Sequence, residues 1–95
     1  MAPFIVNNVL DTNKFRVMYG WKIGSKKGAF IAPIGVKIPK TGEPGYKSAM
    51  KSLYALLLGR EVRVGDVYSA KGDTMFCRIY FNGKELSHYI KENSN

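Results

Sequence analysis

Apolar residues recur at two different spacings along this chain, and the change of spacing marks its elements. From Tyr46 onward they fall at Tyr46, Ala49, Met50, Leu53, Leu56 and Leu57, with Lys47, Ser48, Lys51 and Ser52 between them. That i, i+3, i+4, i+7 pattern predicts an amphipathic helix with one buried face. The turn-rich Thr41-Gly-Glu-Pro-Gly45 precedes it, and Gly59 offers the positive φ that often follows a last turn. Arg60-Glu-Val-Arg-Val64 then resumes at period 2, with Val62 and Val64 on one face and Glu61 and Arg63 on the other.

The remaining segments are short and alternate. Phe4-Ile-Val6 predicts a first strand, broken at Asn7-Asn8 before Val9-Leu10, and Asp11-Thr-Asn13 is a turn. Lys14–Ile23 predicts a half-buried second strand, with Phe15, Val17, Tyr19 and Trp21 on one face and a basic outer face of Lys14, Arg16 and Lys22. Gly24–Gly28 reads as a hairpin connection with lysines at its tip. Ala29–Ile38 predicts a third strand, disturbed by Pro33 and Gly35, and Pro39–Gly45 is loop. After a turn at Ser69–Asp73, Thr74–Asn82 forms a fifth strand with Met75, Cys77, Ile79 and Phe81 opposed to Phe76, Arg78 and Tyr80. Asn82-Gly83 turns the chain into a short helix over Lys84–Glu92, with Leu86, Tyr89 and Ile90 inward, and Asn93–Asn95 is expected to fray.

Three strands, a helix, two strands and a short helix are the ingredients of a mainly β (α+β) domain. The expectation is a five-stranded OB-fold barrel, with a capping helix between strands 3 and 4 and a short C-terminal helix. Closing the barrel removes edges that so small a sheet would otherwise leave unpaired. At 95 residues and 45% hydrophobic content, one domain spanning 1–95 with a single core is expected.

Charge sharpens this picture. Fifteen Lys and Arg against seven Asp and Glu give a net charge of +8. Such a balance favours polyanionic partners, whether nucleic acid, an acidic protein surface or anionic lipid; ordinary solubility charge is the alternative. No apolar run is long enough to span a bilayer and the N-terminus has no secretory pattern, so a soluble cytoplasmic protein with no membrane role is expected. Cys77 is the only cysteine and His88 the only histidine. Disulfides, cysteine metal clusters and Ser-His-Asp triads all need more than this, leaving only a Cys77–His88 pair open. A buried structural thiol is the simpler reading of Cys77.

The helix-to-strand stretch YKSAMKSLYALLLGREVRV resembles the micrococcal-nuclease-like (thermonuclease, SNase-like) family, whose pattern there ends in L-L-x-G-K/R-x-V-x-V. FCRIYFNGKELSHYI is similar to the family's segment around [IV]-Y-x-[DN]-G-K. VLDTNKFRV and IGVKIPK lie more loosely on its V-x-D-G-D-T-x-x-V and L-x-G-I-D-A-P-E segments. The resemblance implies phosphodiester cleavage with a carboxylate-held calcium ion, a glutamate base and two arginines. It places the first metal aspartate on Asn13, the second on Lys37 and the base on Lys40. The two arginines fall on Ala32 and Thr74. Calcium needs several oxygen ligands, preferably anionic, and lysines at two of these positions would repel it. The expectation is a catalytically inactive member, with no metal and no cofactor.

Two functions then compete. OB barrels bind oligonucleotides on the face of strands 2 and 3 and on adjoining loops. Here that face and its surroundings carry Lys14, Arg16, Lys22, Lys26, Lys27, Lys37, Lys40 and Lys71. Nucleic acid, DNA or RNA, is thus one expected partner, with Tyr19 and Trp21 either stacking bases or buried beside Phe15 and Val17. The other expectation is a protein-interaction or structural module using Tyr46, Tyr54, Phe76, Tyr80 and Tyr89.

Overall fold

The computed structural model describes residues 3–90. Its elements follow the order that the spacing predicts: β1 (Phe4–Asp11), β2 (Lys14–Ile23), β3 (Lys26–Pro33), α1 (Tyr46–Leu57), β4 (Glu61–Lys71) and β5 (Thr74–Phe81). A two-residue β6 (Lys84–Glu85) and a 3-10 turn (Leu86–His88) complete it. Neighbouring strands run β3-β2-β1-β4-β5, and β3 also pairs in parallel with β5 from Phe30↔Thr74 to Pro33↔Cys77. That last pairing closes the sheet into the five-stranded OB barrel, with α1 between the third and fourth strands.

Period-2 alternation fills the barrel. Val6, Phe15, Val17, Ile31, Val62, Val64, Met75, Cys77 and Ile79 are all buried. α1 contributes Leu53 and Leu57, both fully buried, while Ala49, Met50 and Leu56 are half-buried. Burying each leucine is worth roughly 1.5–3 kcal/mol. Both ends of the helix are set by turns that require glycine. Tyr46 N–H donates to Glu43 O (3.2 Å) across Pro44-Gly45, with Gly45 at φ 85° and ψ −2°. Leu58 (φ −61°, ψ 124°) and Gly59 (φ 75°) form a second such turn, in which Arg60 N–H donates to Leu57 O. Both are type II turns, where the third residue must reach positive φ. Gly59 N–H also donates to Val6 O and Val6 N–H to Arg60 O, which fixes the end of the helix on β1.

Several boundaries differ from the pattern-based expectation. β1 is one continuous strand, with register shifts at Val6/Asn8 and Val9/Asp11 in place of a break at the asparagines. β3 starts at Lys26 and stops at Pro33; Ile34 N–H still donates to Cys77 O (3.0 Å), Gly35 (φ 73°) then turns the chain away, and 34–45 is loop. The β2–β3 and β4–β5 connections are two residues each, Gly24-Ser25 and Gly72-Asp73, with both glycines at φ 59°. Lys84-Glu85 pairs with β5 through an Asn82-Gly83 turn (φ 51° and 80°), and only a 3-10 turn follows, so the short C-terminal helix is not α-helical. Leu86 and Ile90 are buried and Tyr89 half-buried, as the apolar spacing requires; the expected end of that helix at Lys91-Glu92 and the frayed 93–95 lie outside the described residues. No described helix is long and apolar enough to cross a membrane.

Candidate nucleic-acid interface

β2 departs from simple alternation at one place. Its pairing with β3 passes from Arg16↔Phe30 to Trp21↔Gly28, five residues on one strand against two on the other. The extra length is taken up around Tyr19 and Gly20, which both adopt left-handed backbone (φ 65° and 69°). Trp21 is therefore buried, 4% exposed, with its Nε1–H donating to Phe30 O at 2.7 Å. Tyr19, in phase with it by simple alternation, is turned outward and is 98% exposed. Of the two aromatics left open by the sequence, Trp21 belongs to the fold and Tyr19 to the surface.

Around Tyr19 the backbone segments approach closely. A Cβ on Gly20 would lie 2.4 Å from Gly28 O, and one on Gly28 would lie 2.3 Å from Asp73 O. Phe30 N–H donates to Asp73 O (3.0 Å), so the β4–β5 turn rests directly on the middle of β3. These contacts leave a shallow hollow of about 560 Å³ lined by Tyr19, Gly20, Trp21, Lys22, Lys27, Gly28, Ala29 and Asp73.

The lysines at this end come from three segments. Lys22 and Lys27 are direct cross-strand partners. Lys26 Nζ donates to Ala70 O (3.3 Å), which ties the β2–β3 hairpin to the end of β4, where Lys71 is exposed. Barrel closure thus puts Lys22, Lys26, Lys27 and Lys71 at one end of the molecule. Lys14 lies at the far end of β2, on the order of 20 Å away along the strand, with its ammonium over the Phe30 ring at 4.5 Å. Arg16, exposed opposite Phe30, lies between the two ends.

Lys37 and Lys40 lie in the loop after β3, at the Lys14 end. Thr12, only 1% exposed, donates from Oγ1 to Pro39 O at 2.8 Å, which brings the Asn13 turn against the Pro39-Lys40 peptide. The carboxylates at this corner are already engaged with backbone. Asp11 Oδ1 accepts from Thr12 N–H (2.7 Å), and Glu43 Oε1 accepts from Lys40 N–H (2.7 Å) while Glu43 N–H donates to Lys40 O. Ala32 is buried, and Thr74 is half-buried on the adjacent strand beside Phe30. Among the described residues, no three of His, Cys, Asp and Glu converge as metal ligands would.

Among the described residues the ion pairs are Arg63–Glu61 (3.9 Å) and Arg78–Glu85 (2.9 Å), and neither takes in any of the eight basic residues of the predicted face. Cys77 is buried within the barrel, where burial pushes its thiol up from 9.0 to about 12. His88 is exposed on the 3-10 turn, so the two do not pair. Of the tyrosines and phenylalanine considered for protein contact, Tyr54 is exposed, while Tyr46, Phe76, Tyr80 and Tyr89 are half-buried. Tyr89 is held by its hydroxyl on Phe81 O (2.7 Å) and by an edge-on contact with the Phe81 ring.

Sequence reasoning missed one residue that organises this surface and left another undecided. Thr12 reads as an ordinary turn residue, yet it is the buried link between two loops. Alternation leaves Tyr19 open between core and base-stacking surface, and the Gly directly after it was the available sign of the bulge that turns it outward. No model of a known protein family matches this chain, and no curated protein matches it either.

Proposed function

We propose that this chain is a catalytically inactive, SNase-like OB-fold protein that binds nucleic acid through the basic end of its barrel. The observation that carries this is the placement of Lys22, Lys26, Lys27 and Lys71, from β2, β3 and β4, at one end of the barrel beside an exposed tyrosine, free of ion pairing among the described residues. Like charges placed directly across a sheet destabilise it, and a phosphate between them relieves that repulsion. The face of β2 and β3 and the β4–β5 loop are also among the regions through which OB barrels meet oligonucleotides.

Cleavage chemistry is not part of the proposal. Where the nuclease resemblance needs carboxylates, the chain carries Asn13, Lys37 and Lys40, and the neighbouring Asp11 and Glu43 cap backbone N–H groups. Incubation of single-stranded DNA with the protein and calcium should leave the substrate intact; cleavage that a chelator abolishes would overturn this. A cytoplasmic setting suits the single buried thiol, which has no disulfide partner in the chain.

Titration of a mixed-sequence oligonucleotide at two salt concentrations tests the binding itself. An interface engaging about four phosphates gives a log–log slope of about −3.6 on duplex and about −2.8 on a single strand. An absence of binding at low salt would overturn the proposal. It would favour instead a protein-interaction or structural role, for which the apolar hollow formed by Met50, Lys51, Tyr54 and Ala55 on the outer side of α1 is the place to look.

A further inference from the structure

The fold makes no use of the Tyr19 ring. At 98% exposure it contributes no packing, and a backbone φ of 65° is one that L-residues other than Asn and Asp seldom adopt. Its setting is nonetheless defined. Gly20 and Gly28 present bare backbone beside it, because a Cβ at either would collide with a carbonyl oxygen. Lys22 and Lys27 stand opposite each other at the edge of the same hollow.

We propose that Tyr19 is a base-stacking platform and that the ligand of this face is a single-stranded nucleic acid. An unpaired base lies on the Tyr19 ring beside the Gly20–Gly28 backbone, and its flanking phosphates meet Lys22 and Lys27. The stacking role rests on the nucleic-acid role proposed above and narrows it from any polyanion to an unpaired strand. In a duplex the faces of the bases are occupied by their neighbours, so a protruding ring beside a shallow hollow has nothing to stack on. An unpaired base offers a free face, and every base has one, so the contact is tolerant of sequence. Lysines supply the complementary charge without fixing which base is bound. Asp73 lines the same hollow.

Three ligands separate the terms: a single strand of DNA or RNA, the same sequence as duplex, and an abasic single strand that keeps the phosphates. Each is titrated by fluorescence anisotropy against the whole chain and its Tyr19→Gly and Tyr19→Phe variants. Glycine accepts φ 65° without strain and no packing is lost, so Tyr19→Gly keeps the fold, with a melting temperature no lower than that of the original chain. The expected result is a loss of about 5- to 150-fold on the single strand, the range of one base–aromatic stack. Affinity for duplex and abasic strand, and the salt slope, should be unchanged, and Tyr19→Phe should bind like the original. Equal binding of the single strand by Tyr19→Gly, or an equal loss on the abasic strand, would overturn the stacking role while leaving the lysine interface standing. Failure of the original chain to bind any of the three at low salt would overturn the nucleic-acid role and the stacking role together.

Discussion

Lys22 on β2 and Lys27 on β3 are direct cross-strand partners, two like charges held against one another one residue pair from the end of a hairpin. In an isolated fold this arrangement is unfavourable. Opposite charges at such positions stabilise by roughly 0.2–1 kcal/mol and like charges act in the other direction. Lys27→Glu should therefore raise the melting temperature by a few degrees and weaken oligonucleotide binding at the same time. Thermal unfolding and a salt titration on the same sample check both. A variant that melts higher and binds as well as the original would show that the pair is not part of the interface.

Thr12 is the one polar residue among the described ones that is buried, and its hydroxyl is bonded to Pro39 O. Thr12→Val keeps the shape and leaves that carbonyl without its partner, at a cost of about 1–3 kcal/mol. Urea unfolding should show a lower midpoint with an unchanged slope. The loop from 34 to 45 should become more open to limited proteolysis.

The glycines divide into those that have room for a side chain and those that do not. Gly20→Ala and Gly28→Ala should each destabilise by about 2–4 kcal/mol, because the new methyl meets backbone oxygen. Gly24→Ala and Gly72→Ala, which meet nothing within 4 Å, should lose only about 1 kcal/mol from their positive φ. Chemical denaturation of the four variants gives the comparison directly.

The Cys77 thiol is pushed up from 9.0 to about 12 by burial, so in this range the folded state holds a proton that the unfolded state has released. Its contribution is fully present below about pH 9 and is lost as pH rises toward 12, at about 1.4 kcal/mol per pH unit. Lysines and tyrosines also titrate there, so the measured quantity is the difference between the original chain and Cys77→Ala. The alanine variant, less stable at neutral pH, should lose stability less steeply above pH 9. In the native state the thiol should be silent to a thiol reagent, becoming reactive in urea.

The barrel was legible because its determinants are local. The period-2 run of β2 buries Phe15, Val17 and Trp21, the helical spacing of α1 buries Leu53 and Leu57, and Pro44-Gly45 and Leu58-Gly59 mark the helix ends in the sequence itself. Tyr19 was not legible, since alternation assumes an unbroken ladder and the bulge inserts residues that change the face. The candidate site was legible in composition but not in arrangement. All eight basic residues stand in the sequence, yet Lys26 meets the β4–β5 turn only because β3 pairs with β5, a contact between segments more than forty residues apart. Lys37 and Lys40 stand apart from Lys22, Lys26, Lys27 and Lys71, in the loop that Thr12 holds at the start of β2, and Lys14 is rooted at that same end.

This separation provides the most direct test. Single-stranded oligonucleotide affinity should be measured across a range of salt for the original chain and for two sets of lysine-to-glutamine substitutions. One set removes the charges of Lys22, Lys26, Lys27 and Lys71; the other removes those of Lys14, Lys37 and Lys40. The first set should abolish most binding and flatten the log–log slope by about 2.8, at roughly 0.7 per phosphate contact. The second should bind nearly as the original does. The reverse pattern, or equal losses from both sets, would contradict an interface at the hairpin end of the barrel.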